Sequence, residues 1–153
     1  MSYYLLKKIK YSYTCETWYK HTSSGSAVHR KKGPAFIKFL KNGKDEQWYI
    51  MGVRYIRRDN CLVVKKDLTF FYRKLENIVP TIIYDNDTKE WWKTSFGFMS
   101  KQELHRTEFP AIIYSNGDEE WWQNGKRHRV GGPAVTYGNK KYFYEFGELI
   151  DSK

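Results

Sequence analysis

The stretch "HRTEFPAIIYSNGDEEWWQNG", residues 105–125, decides the fold. "PAIIY" is a short apolar run bounded by turn residues, the pattern of a strand. Asn116-Gly117 inside "SNGD" is a hairpin signal, because a two-residue turn wants positive φ at both central residues. "EEWWQ" reads as the return strand, and Asn124-Gly125 predicts a second tight turn. The text then starts again: "HRVGGPAVTYGNKKYFYEFG" follows from His128, and "HRKKGPAFIKFLKNGKDEQWYIMG" stands at 29–52. His-Arg, three residues and Pro-Ala thus occur at His29, His105 and His128.

The prolines set the register. Pro110 and Pro133 are 23 residues apart, Pro80 and Pro110 are 30, and Pro34 and Pro80 are 46, twice 23. The copy "PTIIYDNDTKEWW" has Leu75-Glu76 where His-Arg would stand. A worn copy fits between the first two prolines: Asn60 takes the proline place, "CLVV" is the first strand, "KKD" the turn and "LTFFY" the return. An N-terminal pair, "KKIKYSY" and "ETWYKH", puts Trp18-Tyr19 in the aromatic place. About six hairpins in series result, the first and third degenerate, in a single domain over 1–153 with no helical periodicity of useful length. The expected fold is all-β: serial antiparallel hairpins in one curved, twisted sheet. The alternative is a sheet closed into a small barrel or sandwich.

A unit near 23 residues, with two short strands, glycine turns and an aromatic pair, resembles the MORN repeat. It is most similar to the MORN-like variant with H-R, G-P-A, N-G and W signatures, which occurs in proteins of large DNA viruses, phages and bacteria. The matching residues are Gly33-Pro34-Ala35, Asn42-Gly43 and Trp48; Pro110-Ala111, Asn116-Gly117, Trp121-Trp122 and Asn124-Gly125; and His128-Arg129 with Gly132-Pro133-Ala134. The resemblance covers roughly residues 29–147. It implies an interaction or scaffold module rather than an enzyme, in a virus- or phage-encoded accessory or virion protein.

Composition bounds the rest. Aromatic residues make up 18% of the 153 residues, with thirteen Tyr, nine Phe and six Trp, so rings must supply much of the buried area. The net charge of +10 permits nucleic acid, anionic lipid or an acidic protein surface as partner and selects none of them. The two cysteines, Cys15 and Cys61, make no disulfide framework, and a reduced protein is the simpler reading. No signal-peptide core and no apolar run of membrane-spanning length is present. The expected location is therefore cytoplasmic, in a host cell or a virion if the chain is viral, and not secreted.

Two readings compete for the repeated histidines. As zinc ligands, His29, His105 and His128 would have to converge on one ion. Equivalent residues of neighbouring hairpin units lie roughly 10 Å apart, too far for three rings to share a metal. As architecture, the arginine beside each would donate hydrogen bonds to carbonyls or to a carboxylate such as Glu90, Glu119 or Glu120. The architectural reading is preferred, so no metal and no cofactor is expected. Asp118, Glu119 and Glu120 read as a solvated turn rather than an acid–base pair, and no nucleophile elbow, phosphate loop or metal helix appears. No catalytic residue is therefore assigned.

Function is expected in what lies outside the frame. The basic clusters Arg30, Lys31 and Lys32; Arg54, Arg57 and Arg58; and Lys126, Arg127 and Arg129 are candidate contacts for nucleic acid or anionic lipid. Against that stands the reading of solvated turn tips. The C-terminal rings Tyr142, Phe143, Tyr144 and Phe146 are a candidate protein-docking surface, for self-association or for a partner; the competing view is that they cap the core. The preferred function is a protein-interaction or scaffold module, with polyanion binding as the alternative.

Overall fold

A computed structural model describes residues 2–10, 13–30, 32–65, 77–94 and 101–153. Every regular element among them is a β-strand, and every pairing is antiparallel. No helix of the described residues is long and apolar enough to cross a membrane. The chain divides into two compact units, Met1–Arg73 and Lys74–Lys153.

The first unit holds β1 (Tyr3–Lys10), β2 (Tyr13–Thr22), β3 (Gly25–Val28), β4 (Phe36–Leu40), β5 (Gly43–Ile50), β6 (Val53–Arg58) and β7 (Cys61–Val64). The strand order is β1-β2-β4-β5-β6-β7, with β3 on β2. The long β2 shows how a unit is built. Thr14 to Thr17 pair with β4, whereas Tyr19 to Thr22 pair with β3. One return strand therefore serves the next hairpin with its first half and its own short hairpin with its second.

In the second unit the same plan is cut shorter. It comprises β8 (Ile82–Tyr84), β9 (Lys89–Glu90), β10 (Trp92–Thr94), β11 (Gln102–Leu104), β12 (Ile112–Ile113), β13 (Glu119–Glu120), β14 (Trp122–Gln123), β15 (Lys126–Arg127), β16 (Val135–Tyr137), β17 (Lys140–Glu145) and β18 (Glu148–Ser152). The order is β8-β9-β12-β13-β16-β17-β18, with β10-β11 and β14-β15 as separate pairs. The return strand breaks at Trp91 and at Trp121. There the tryptophan N–H turns to the following unit, donating to Ala111 O (2.9 Å) and Ala134 O (2.7 Å). In neither unit do the two end strands of the order pair with each other, so neither sheet closes into a barrel.

Turn chemistry follows the sequence with one correction. Asn42-Gly43 lies at the tip between β4 and β5. Asn116-Gly117 is also at a tip, but not as a two-residue turn. Only Gly117 has positive φ (91°), and Gly117 N donates to Tyr114 O while Tyr114 N donates to Asp118 O. This is a type I turn closed by one left-handed residue, the three-residue hairpin loop. Asp87, at φ 68°, takes the glycine's role between β8 and β9. Two consecutive left-handed residues occur instead at Met51-Gly52, Asn124-Gly125 and Phe146-Gly147.

"CLVV" forms β7, paired with β6. Of the proposed turn "KKD" only Lys65 is described, its N–H donating to Arg54 O at 2.9 Å; Lys66, Asp67, the return "LTFFY" and Leu75-Glu76 lie outside the described residues. The core of each unit is narrow. Ala35, Ala111 and Ala134 are fully buried, joined by Val53, Tyr55 and Val64 in the first unit and by Val79, Trp91 and Val135 in the second.

Candidate functional site

The residues that recur in sequence recur in space, three times over. Arg30, Arg106 and Arg129 lay their guanidinium groups over Trp18, Trp91 and Trp121, at 4.0, 3.7 and 3.8 Å from the ring centroids. Each donates from Nη1 to the carbonyl of the proline four residues on, Pro34, Pro110 or Pro133, at 3.1, 3.1 and 3.2 Å. Of the acceptors expected from sequence, the carbonyl is the one used. Gly33 and Gly132 close the other side: a Cβ there would come within 3.3 and 3.2 Å of the guanidinium. In the middle copy Phe109 stands in that place, its ring 5.0 Å from Arg106 Cζ. Burial pulls the Arg106 guanidinium down to about 10, which leaves it cationic at neutral pH.

The histidines have a separate task. Nδ1 of His29, His105 and His128 accepts a hydrogen bond from the backbone N–H of Met51, Asn124 and Phe146, at 3.1, 3.2 and 3.3 Å. Those three residues are the first of each left-handed pair, at φ 52°, 52° and 47°. A left-handed conformation costs a non-glycine residue roughly 1–2 kcal/mol, so the histidine fixes a turn that local preference resists. An accepting Nδ1 places the neutral ring's proton on Nε2. Among the described residues no group of three or more His, Cys, Asp or Glu side chains is placed to hold a metal.

A third recurrent element was not anticipated. A polar residue accepts from the ring two positions on: Gln47 Oε1 from Tyr49 OH (3.0 Å), Glu90 Oε2 from Trp92 Nε1 (2.7 Å) and Glu120 Oε2 from Trp122 Nε1 (2.9 Å). The last grows into a buried node. Glu120 Oε2 also takes Arg127 Nε at 3.1 Å, and Oε1 takes the hydroxyls of Tyr114 (2.7 Å) and Tyr137. Glu120 is 3% exposed. Burial works to raise its pKa, but the bonds from Tyr137 and Tyr114 and the charge of Arg127 outweigh it and hold the carboxyl below its ordinary value. Burial, then those bonds and the neighbouring carboxylate, push the Tyr114 phenol up. A carboxylate with both oxygens doubly engaged is a structural anchor. It was expected as part of a solvated turn; instead the inward-pointing member of the Asp118-Glu119-Glu120 run carries the node.

The candidate cations separate by role. Arg30 and Arg129 are held in the frame, and Arg127 is held by Glu120. Arg57 Nη2 donates to Asp59 O at 3.0 Å. Lys32, Arg58 and Lys126 are exposed, and Arg54 is half-buried opposite Tyr49 on β5. Lys31 lies outside the described residues. Of the C-terminal rings, Tyr142, Phe143 and Tyr144 are half-buried, and Tyr144 O accepts from Arg129 N at 3.3 Å. Phe146 is 63% exposed and stacks on His128 at 4.3 Å. Beyond these rings lies β18, all five residues exposed, with Leu149 and Ile150 more than half exposed.

Neither family models nor curated proteins nor solved structures give a match to this chain.

Proposed function

We propose that the chain is a non-enzymatic protein-interaction module, a scaffold or accessory component whose repeats form the frame and whose C-terminal edge is offered to a partner. The observation that carries this reading is β18. It ends the strand order of its unit, and its five residues are exposed. An uncovered edge strand is a template for another strand, and such edges are normally blunted by lysine or proline. Here Phe146, Leu149 and Ile150 are exposed beside Glu145, Glu148 and Asp151. The occupant is a strand of complementary basic or apolar character, from a second copy or from another protein. The frame supports this role because its repeated Trp, His and Arg side chains are engaged with one another and with backbone.

Ile150→Lys tests the reading, since an exposed position accepts lysine without unfolding. Sedimentation should show that the complex formed by the wild-type chain, with itself or with its native partner, is lost while the melting temperature holds. A complex that survives Ile150→Lys unchanged refutes the placement.

A further inference from the structure

A groove on one face of the first unit carries a different kind of chemistry. Residues two apart on a strand share a face, and so do directly paired residues of neighbouring strands. The register runs from Leu6 and Lys8 on β1 to Thr17 and Cys15 on β2, then to Phe36 and Lys38 on β4. It continues to Gln47 on β5, and Tyr49, two further on, faces Arg54 of β6. On this face an open cavity of about 460 Å³ is lined by four rings, Tyr13, Tyr19, Phe36 and Tyr49, with Lys8 and Gln47 beside them. None of the described residues that line it is acidic.

The opposite face of the same strands is neutralised differently. There Lys7 pairs with Glu16 at 2.6 Å and Lys44 with Glu46 at 2.5 Å. On the groove face Lys38 rests over the Tyr13 ring at 4.2 Å. The acid placed opposite Lys38 is Asp45, which is exposed and accepts from Gln47 Nε2 at 3.0 Å. Among the described residues, Lys8, Lys38 and Arg54 against one carboxylate leave this face basic. One of its rings, Tyr19, already stacks on Tyr4 at 5.1 Å and 11°.

We infer that this groove binds single-stranded nucleic acid, with bases stacked on the tyrosines and phosphates met by Lys8, Lys38 and Arg54. Flat rings interleaved with cations along a sheet face suit a ligand that offers an aromatic face and a charge at each step. Tyr13 and Tyr19 are six residues apart on one strand, roughly 20 Å, and β2 to β5 spans roughly 10 Å, room for several nucleotides. A duplex hides its base faces in the stack, and a lipid headgroup has phosphate but no ring. The inference is independent of the partner edge proposed for the second unit.

The test uses the full chain and a fluorescein-labelled oligothymidylate of about 15 nucleotides, within the site sizes of such grooves. Anisotropy should show binding that weakens steeply with salt, by roughly 0.7 log units per log unit for each phosphate neutralised. Tyr49→Ala should weaken it about tenfold or more. Lys8→Gln and Lys7→Gln are the decisive pair, neighbours on one strand that point to opposite faces. Lys8→Gln should weaken binding and flatten the salt slope, and Lys7→Gln should do neither, with both melting as wild type. Absence of binding at low salt overturns the inference. So does an equal effect of the two lysine variants. Phosphatidylserine vesicles that displace the oligonucleotide, and bind the Tyr49→Ala chain as tightly as wild type, overturn it in favour of a lipid surface.

Discussion

Replacing Arg106 with alanine removes the fullest of the three struts, and its cost can be built from its contacts. The guanidinium donates to two carbonyls, Asn77 O at 3.0 Å and Pro110 O at 3.1 Å, and lies 3.7 Å from the Trp91 centroid. A hydrogen bond from a charged donor contributes about 1.5–3 kcal/mol net, and a partly desolvated cation–π contact about 0.5–2 kcal/mol. These do not add fully, because water reaches the freed carbonyls, so a loss of about 3 kcal/mol is expected, at the top of the range for single substitutions. Arg30 and Arg129 reach one proline carbonyl each, so their alanine variants should lose less, about 1–3 kcal/mol. Arg106→Lys keeps the charge but not the planar fork that spans two acceptors, and should recover about half. Urea unfolding followed by tryptophan fluorescence reads all four variants. A loss below about 0.5 kcal/mol for Arg106→Ala, or full recovery by lysine, refutes the strut argument.

Three other perturbations probe separate parts of the frame. Glu120→Gln should cost about 3 kcal/mol at neutral pH, because an amide cannot accept from all four donors. The folded carboxyl sits below its ordinary value of 4.5, so its contribution is complete above that value and is lost as the pH falls through the folded one. The stability gap between wild type and Glu120→Gln should therefore narrow as the pH is taken below 4.5, and a constant gap in denaturant titrations would exclude the node as its source. Met51→Asn should raise stability by about 0.5–1 kcal/mol, since asparagine accepts the left-handed conformation that Met51 is held in; an unchanged or lower melting temperature counts against strain at that turn. Ala134→Leu should cost about 1–3 kcal/mol by overpacking a fully buried site, and calorimetry showing no loss would mean that the site is roomier than it looks.

The hairpin series and the frame role of Arg30, Arg106 and Arg129 were readable because repetition exposes them: the same residue in the same place of each copy does the same job. The partners of His29, His105 and His128 were not readable, because the turn residue each holds lies 18–22 positions downstream and differs in type, Met51, Asn124 or Phe146. The signal available was the glycine after each of them. Asn116-Gly117 misled because the dipeptide fits two turns equally well, and which one forms depends on the register of Ile113 with Glu119. The basic clusters were chosen by proximity in sequence, and three of those arginines are bound up in the frame. Lys8, Tyr13, Tyr19, Lys38 and Tyr49 are scattered in sequence. Only the cross-strand register gathers them onto one face.

The link from each return-strand tryptophan to the next Pro-Ala step is the same although the chain between them differs in length. Trp91 N reaches Ala111 O, Trp121 N reaches Ala134 O, and both tryptophans stack under the arginine of the unit that follows. Every such junction presents the same donors, acceptor and ring to whatever unit comes next, so the stability of the array is set by nearest neighbours. A duplication of residues 105–127 would recreate a complete junction at each side of the insert. An insertion that is not a whole unit has to be absorbed between two such junctions rather than within one. The second unit can thus grow in steps of 23 residues while keeping β18 as its last strand.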